Sequence, residues 1–166
     1  MPVFPATQFA PTRAPSTGSA SGVGRVPFPI PPRDRERIQA LVEEVFGAAL
    51  QESERFTIAT ELGPEVLLVV VGLIDVESYV PPEPVGRVDV YLSSVGSATL
   101  WIELRDSESN AVLARFFDRR KASTPGAATR ANSPATVSTV RRLLASWADL
   151  LRRRLDEVPT LTDADD

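Results

Sequence analysis

Apolar positions along the chain follow a helical period, then a strand period, then a helical period again. From Asp34 onward, Ile38, Leu41, Val42, Val45, Phe46, Ala49 and Leu50 recur at steps of three and four. Arg35, Glu36, Glu43, Glu44 and Gln51 fall mostly elsewhere on the wheel. This spacing predicts an amphipathic helix that starts after Pro31-Pro32, with Asp34 as its N-cap. A short strand is expected at residues 56–60. After the Gly63-Pro64 turn, residues 66–74 are apolar at both alternating sets of positions, the mark of a strand in mid-sheet with both faces covered. Prolines 81, 82 and 84 then interrupt the chain, and residues 87–92, 98–106 and 112–119 read as three further strands. Residues 122–132 are small and polar, a loop. Ser133-Pro134 opens a second helix, in which Val137, Val140, Leu144, Trp147, Leu151, Leu155 and Val158 make one stripe. Arginines 152–154 near its C-terminus complement the helix dipole.

Strands grouped between two helices with short connections predict an α+β fold. The expectation is a mainly antiparallel sheet of about four to five strands, with the N- and C-terminal helices packed on one face. Residues 1–32 contain eight of the fifteen prolines and only two charges, Arg13 and Arg25, and read as an extended arm or linker. Its apolar end, residues 26–30, has the composition of a segment that can lie along the domain. A single domain is expected over residues 33–160, followed by an acidic frayed tail at 161–166.

The stretch Asp106-Ser107-Glu108-Ser109-Asn110-Ala111 places oxygen ligands at alternate positions, as in the first half of a calcium loop. Such a loop also needs a glycine at its sixth position and a glutamate at its twelfth, where this chain has Ala111 and Phe117. The flanks favour a hairpin instead. Leu100, Ile102, Leu104, Val112, Ala114 and Phe116 are all even-numbered and apolar, so period two holds on both sides. A three-residue loop, Glu108-Ser109-Asn110, keeps them on one face if the numbers of each cross-strand pair sum to 218. Asn110 is then in the left-handed position of a type I turn with a G1 bulge. The same register sets Glu103 against Arg115 and Trp101 against Phe117 on the opposite face.

Composition narrows the chemistry. With no cysteine and no histidine, the chain has no disulfide, no thiolate or imidazole metal ligand and no imidazole base. Lys121 is the only lysine, and no phosphate-binding glycine loop precedes it. A net charge of −4 argues against a general nucleic-acid binder. No cofactor or metal is expected. The first residues lack a basic region followed by an unbroken apolar run, so no signal peptide is expected in this chain. The longest apolar run, 66–74, is too short to cross a bilayer.

Residues 86–120, GRVDVYLSSVGSATLWIELRDSESNAVLARFFDRR, resemble the central signature of a bacterial family, domain of unknown function thirty-three thirteen, found in Gram-negative envelope lipoproteins. The matching features are Asp106-Ser107, Asn110, Leu113-Ala114 and Asp118-Arg119-Arg120. Gly63-Pro64-Glu65-Val66-Leu67 and Trp147-Ala148 extend the resemblance to residues 34–158. This chain has Asn110 where glycine is usual, and it has no lipidated cysteine. The resemblance implies a periplasmic or outer-membrane-associated protein whose partner is another envelope protein. Membrane contact would come only through a lipid anchor, which this chain does not carry. It implies no activity.

Three functions follow as expectations. The first is a non-enzymatic envelope accessory or scaffold domain that binds protein through a face carrying Trp101, Glu103, Leu113, Arg115 and Phe117, with Trp101→Ala expected to leave the melting temperature nearly unchanged. The second is a hydrolase built on Asp75, Glu77, Asp89 or Asp118, with or without a metal ion. The third is an anionic-lipid or polyanion surface made by Arg119, Arg120, Lys121 and the arginines at 141–142 and 152–154. The pattern leaves the oligomeric state open.

Overall fold

A computed structural model describes residues 27–80, 91–92, 94–123, 129–130 and 133–157. The first amphipathic stripe forms helix α1, Pro32–Gln51. Its start corrects the expected cap: Pro31 occupies the N-cap without a side-chain bond, and Asp34 lies inside the first turn. There its carboxylate complements the helix dipole, while proline at the first helical position loses no hydrogen bond. The second stripe forms α2, Ser133–Asp156; Val158 lies outside the described residues. Leu41, Val42, Val45, Phe46, Ala49 and Leu50 of α1 and Leu144, Trp147, Leu151 and Leu155 of α2 are all buried, as the spacing requires.

Between the helices run β1, Leu67–Ser78, β2, Tyr91–Leu92, β3, Ser94–Asp106, β4, Val112–Ser123, and β5, Thr129–Arg130. Among the described residues the main sheet has three antiparallel strands in the order β1-β3-β4, and not the four to five expected. Residues 56–60 form no strand, and Phe56 and Ile58 there are each 40% exposed. Of the candidate strand at 87–92, Tyr91–Leu92 pairs with Thr129–Arg130 in a separate two-stranded ribbon, and residues 87–90 lie outside the described residues. β1 is also corrected. It reads as a central strand but lies at an edge of the sheet formed by the described residues, and β3 takes the centre.

The register separates the two faces. Val69, Val71 and Leu73 of β1 stand opposite Leu104, Ile102 and Leu100 of β3, and all six join the core beneath both helices. The other face carries Leu68, Val70, Gly72 and Ile74 opposite Arg105, Glu103, Trp101 and Thr99. Both helices therefore cover one face, as expected for this α+β layer. On edge strand β4 the core-side Phe116 is less covered than the pattern predicts, at 50% exposed, and Val112, expected on the same face, is set by the bulge opposite Arg105 and is 40% exposed.

The hairpin holds its expected register by a different route. From Leu104/Ala114 through Ala98/Arg120 every pair sums to 218. At the tip, however, Asp106 N–H donates to the Ala111 carbonyl, Asn110 N–H donates to the Asp106 carbonyl, and Arg105 stands opposite Val112. The loop is thus four residues, Ser107 to Asn110, and a bulge after Leu104/Ala114 restores the parity that a three-residue loop would have kept. Asn110 has φ 57°, the left-handed conformation expected of it. Ser107 fastens the tip to the preceding turn, since its Oγ donates to the Gly63 carbonyl at 2.7 Å and accepts from Gly63 N–H at 3.1 Å.

Candidate functional site

The helix-free face is a band of aromatic and apolar groups with an ionic cluster at each end. Gly72 forms the floor of the band. The Trp101 indole lies over it: a methyl group on Gly72 would sit 3.6 Å from Cε3 of Trp101, an ordinary van der Waals contact. Trp101 is half-buried there, while Phe117, its partner in the register, is 63% exposed.

Toward the hairpin tip, Glu103 is 7% exposed. Its Oε1 accepts from Arg115 Nε at 2.7 Å and its Oε2 from Arg105 Nε at 2.7 Å, with Arg105 Nη2 also on Oε2. The hydrogen bonds from Arg105, and then those from Arg115, hold the carboxyl below its usual value against the opposing effect of burial. Two guanidinium groups on one carboxylate leave a cationic rim on Arg115, which is exposed. Leu113 lies in the bulge with no cross-strand partner and is 63% exposed.

At the other end Glu77 Oε2 accepts from Ser97 Oγ at 2.7 Å, Tyr79 Oη at 3.1 Å and Arg119 Nη2 at 3.2 Å. The Ser97 bond is the largest of the effects that lower its carboxyl, and burial opposes it. Arg119 also reaches Asp75, 3.8 Å away. A bulge between Ile74 and Glu77 creates this cluster, with Asp75 at φ 50°. Gly96 permits the close approach of the strands: a side chain there would meet the Glu77 carbonyl oxygen at 2.2 Å.

All five residues expected in the interaction face are accounted for: Trp101, Glu103, Arg115 and Phe117 share the helix-free face, and Leu113 is exposed in the bulge at its margin. Sequence reasoning missed Arg105 and the Glu77, Tyr79, Ser97 and Arg119 cluster. The odd numbering of Arg105, Ser97 and Arg119 was a usable signal for the face, but the bulge that admits Glu77 was not legible. The carboxylates proposed for catalysis do not converge. Asp75 and Glu77 share an arginine, whereas Asp118 lies on the helix side and accepts from Trp147 Nε1 at 2.8 Å and Arg120 Nε at 2.7 Å. Asp89 lies outside the described residues. Glu77, held below its usual value first by Ser97 and then by Tyr79 and Arg119, is a poor proton donor near neutrality. Among the described residues no group of three acidic side chains gathers as a metal site. Asp106, the first residue of the calcium-like stretch, spends Oδ1 on Ser109 N–H and Oγ at 2.7 and 2.6 Å.

The expected cationic surface is dispersed. Arg141 pairs with Glu44, Arg152 with Asp156, Arg154 with Glu157, and Arg119 and Arg120 with the acids already named. Lys121 and Arg142 line an open cleft of about 220 Å³ between β4 and α2. No described helix is long and apolar enough to cross a membrane.

No family model matches the chain, so its relation to family thirty-three thirteen stays a resemblance. No curated protein matches it either. Among solved structures it is similar to a candidate lipoprotein from Caulobacter crescentus. The two are 13% identical with a TM-score of 0.32, over 72% of this chain and 78% of that one. A likeness that loose carries neither fold nor function from one chain to the other.

Proposed function

We propose that this chain is a non-enzymatic accessory domain of the cell envelope that binds another protein through the helix-free face of its sheet. The observation that supports the reading is Phe117, 63% exposed beside a half-buried Trp101, between two ionic clusters, Glu103 with Arg105 and Arg115, and Arg119 with Asp75 and Glu77. An aromatic centre with a polar rim is the composition of a protein contact patch. The envelope location rests on the family resemblance alone.

A photo-crosslinking residue at position 117 tests the reading, with position 116 on the opposite face as the control. Cross-linking should yield a discrete protein adduct at 117 and none at 116. The purified partner should then bind Phe117→Ala at least ~30-fold more weakly, the scale of a ~2 kcal/mol hot spot. Equal binding by Phe117→Ala would refute the assignment of this face.

A further inference from the structure

The two ionic clusters on the helix-free face are opposite in balance. At the hairpin end two guanidinium groups, Arg105 and Arg115, share the single carboxylate of Glu103. At the other end the single guanidinium of Arg119 meets two carboxylates, Asp75 and Glu77. The first cluster therefore has a cation in excess and the second an anion.

The excess cation is open to a partner. The side chains of Glu103 and Arg105 are largely covered, whereas that of Arg115 is 58% exposed. Arg115 donates to Glu103 through Nε, at 2.7 Å, and among the described residues no acceptor is bonded to its Nη1 or Nη2. A pair of guanidinium N–H groups of this kind takes a carboxylate through two parallel hydrogen bonds. The neighbours of Arg115 along this face are apolar and exposed: Phe117 lies two residues on, and Leu113, in the bulge, two residues before. Side chains on one face of a strand recur about every 6.8 Å, twice the rise of ~3.4 Å per residue. An extended segment laid along β4 has the same repeat.

We infer that the partner presents an extended acidic segment, in which a Glu or Asp is flanked two residues away on each side by a bulky apolar residue. Its carboxylate seats on the Nη groups of Arg115, and its apolar side chains rest on Leu113 and Phe117. This rests on the reading of the face as a protein contact and adds the chemistry of the partner to it. Apolar contact on both sides keeps water from the ion pair, and a drier pair is a stronger one. The balance of the other cluster gives the acid a single seat, because Asp75 and Glu77 around Arg119 repel a further carboxylate.

Capped peptides test this against the full chain: one with the core Leu-Thr-Glu-Thr-Phe, and two in which Gln or Lys replaces the Glu. Calorimetric titration should show the Glu peptide binding at least ~10-fold tighter than the Gln peptide, with the Lys peptide weakest and the preference shrinking as salt is added. In Arg115→Gln the Glu and Gln peptides should bind alike. Arg105 still holds Glu103 in that variant, so an unchanged melting temperature within a few degrees is expected alongside the lost preference. Phe117→Ala should weaken all three peptides by a similar factor, since it acts through apolar contact. The inference is overturned by a Glu peptide that binds no tighter than the Gln peptide, by a preference that survives in Arg115→Gln, or by a Glu peptide that does not bind at millimolar concentration. The two readings fail separately. Loss of the charge preference with Phe117→Ala still harmful removes the acidic partner and keeps the contact face, whereas affinities untouched by Phe117→Ala remove the contact face itself and the inference with it.

Discussion

Truncating Trp101 and Phe117 separately tests whether one face can hold both a structural residue and a binding residue. Phe117 is 63% exposed, so only about a third of the ~1.5–3 kcal/mol available from burying a large apolar side chain is at stake, about 0.5–1 kcal/mol. Trp101 lies across Gly72 and is half-buried. A tryptophan fully within a core loses about 3–5 kcal/mol on truncation, and partial exposure brings the expectation for Trp101→Ala to about 2–3 kcal/mol. At about 4 °C per kcal/mol for a domain of this size, the melting temperature should fall about 2–4 °C for Phe117→Ala and about 8–12 °C for Trp101→Ala. Urea and thermal unfolding followed by circular dichroism would measure both. The double variant should depart from additivity by no more than about 1 kcal/mol, the range of cross-strand pairs. The structure thus corrects the expectation that Trp101→Ala leaves stability unchanged and makes Phe117 the cleaner probe of binding. A loss under about 1 kcal/mol for Trp101→Ala, or over about 2 kcal/mol for Phe117→Ala, would refute the division of roles argued from burial.

Asn110→Gly should be nearly neutral by urea unfolding, whereas Asn110→Val should cost about 1–2 kcal/mol, because a branched residue resists φ 57°. Gly96→Ala should cost about 1–3 kcal/mol or more, since its methyl would meet the Glu77 carbonyl at 2.2 Å and one strand would have to shift. Asp118→Ala should cost about 1–2 kcal/mol by leaving the indole N–H of buried Trp147 without its acceptor, and Asp118→Asn should recover part of that loss. Acid titration should show stability falling as pH drops below the ordinary carboxyl value of 4.5. Glu77 and Glu103 have folded-state values below that, so their contribution is present above it and is lost as each protonates; Glu77→Gln should flatten the acid limb of a plot of melting temperature against pH.

The candidate face was half legible in the sequence. Parity alone put Trp101, Glu103, Arg115 and Phe117 on one side, because the side-chain period of a strand is two whatever lies above or below it. The loop at its tip was misjudged by one residue, yet the register survived, since the bulge after Leu104/Ala114 offsets the longer loop. The bulge at Asp75 had no comparable signal. It depends on how β1 meets β3, and it alone brings Glu77 to Ser97 and Arg119.

Local periodicity determined both helices, their buried stripes and the central hairpin, because each of those features is a relation between residues close in the chain. Strand order was decided elsewhere. An apolar run such as 66–74 reports that both faces of a strand are covered, and it carries no information about how many neighbours its backbone has. Only the tertiary structure shows that β1 pairs with β3 on one side and, among the described residues, meets no strand on the other beyond the Phe28–Ser78 bridge. Hydrogen bonding between strands joins residues far apart in the sequence, so whether an apolar strand lies at the centre or the edge of a sheet can be recognised only once its neighbours are in place.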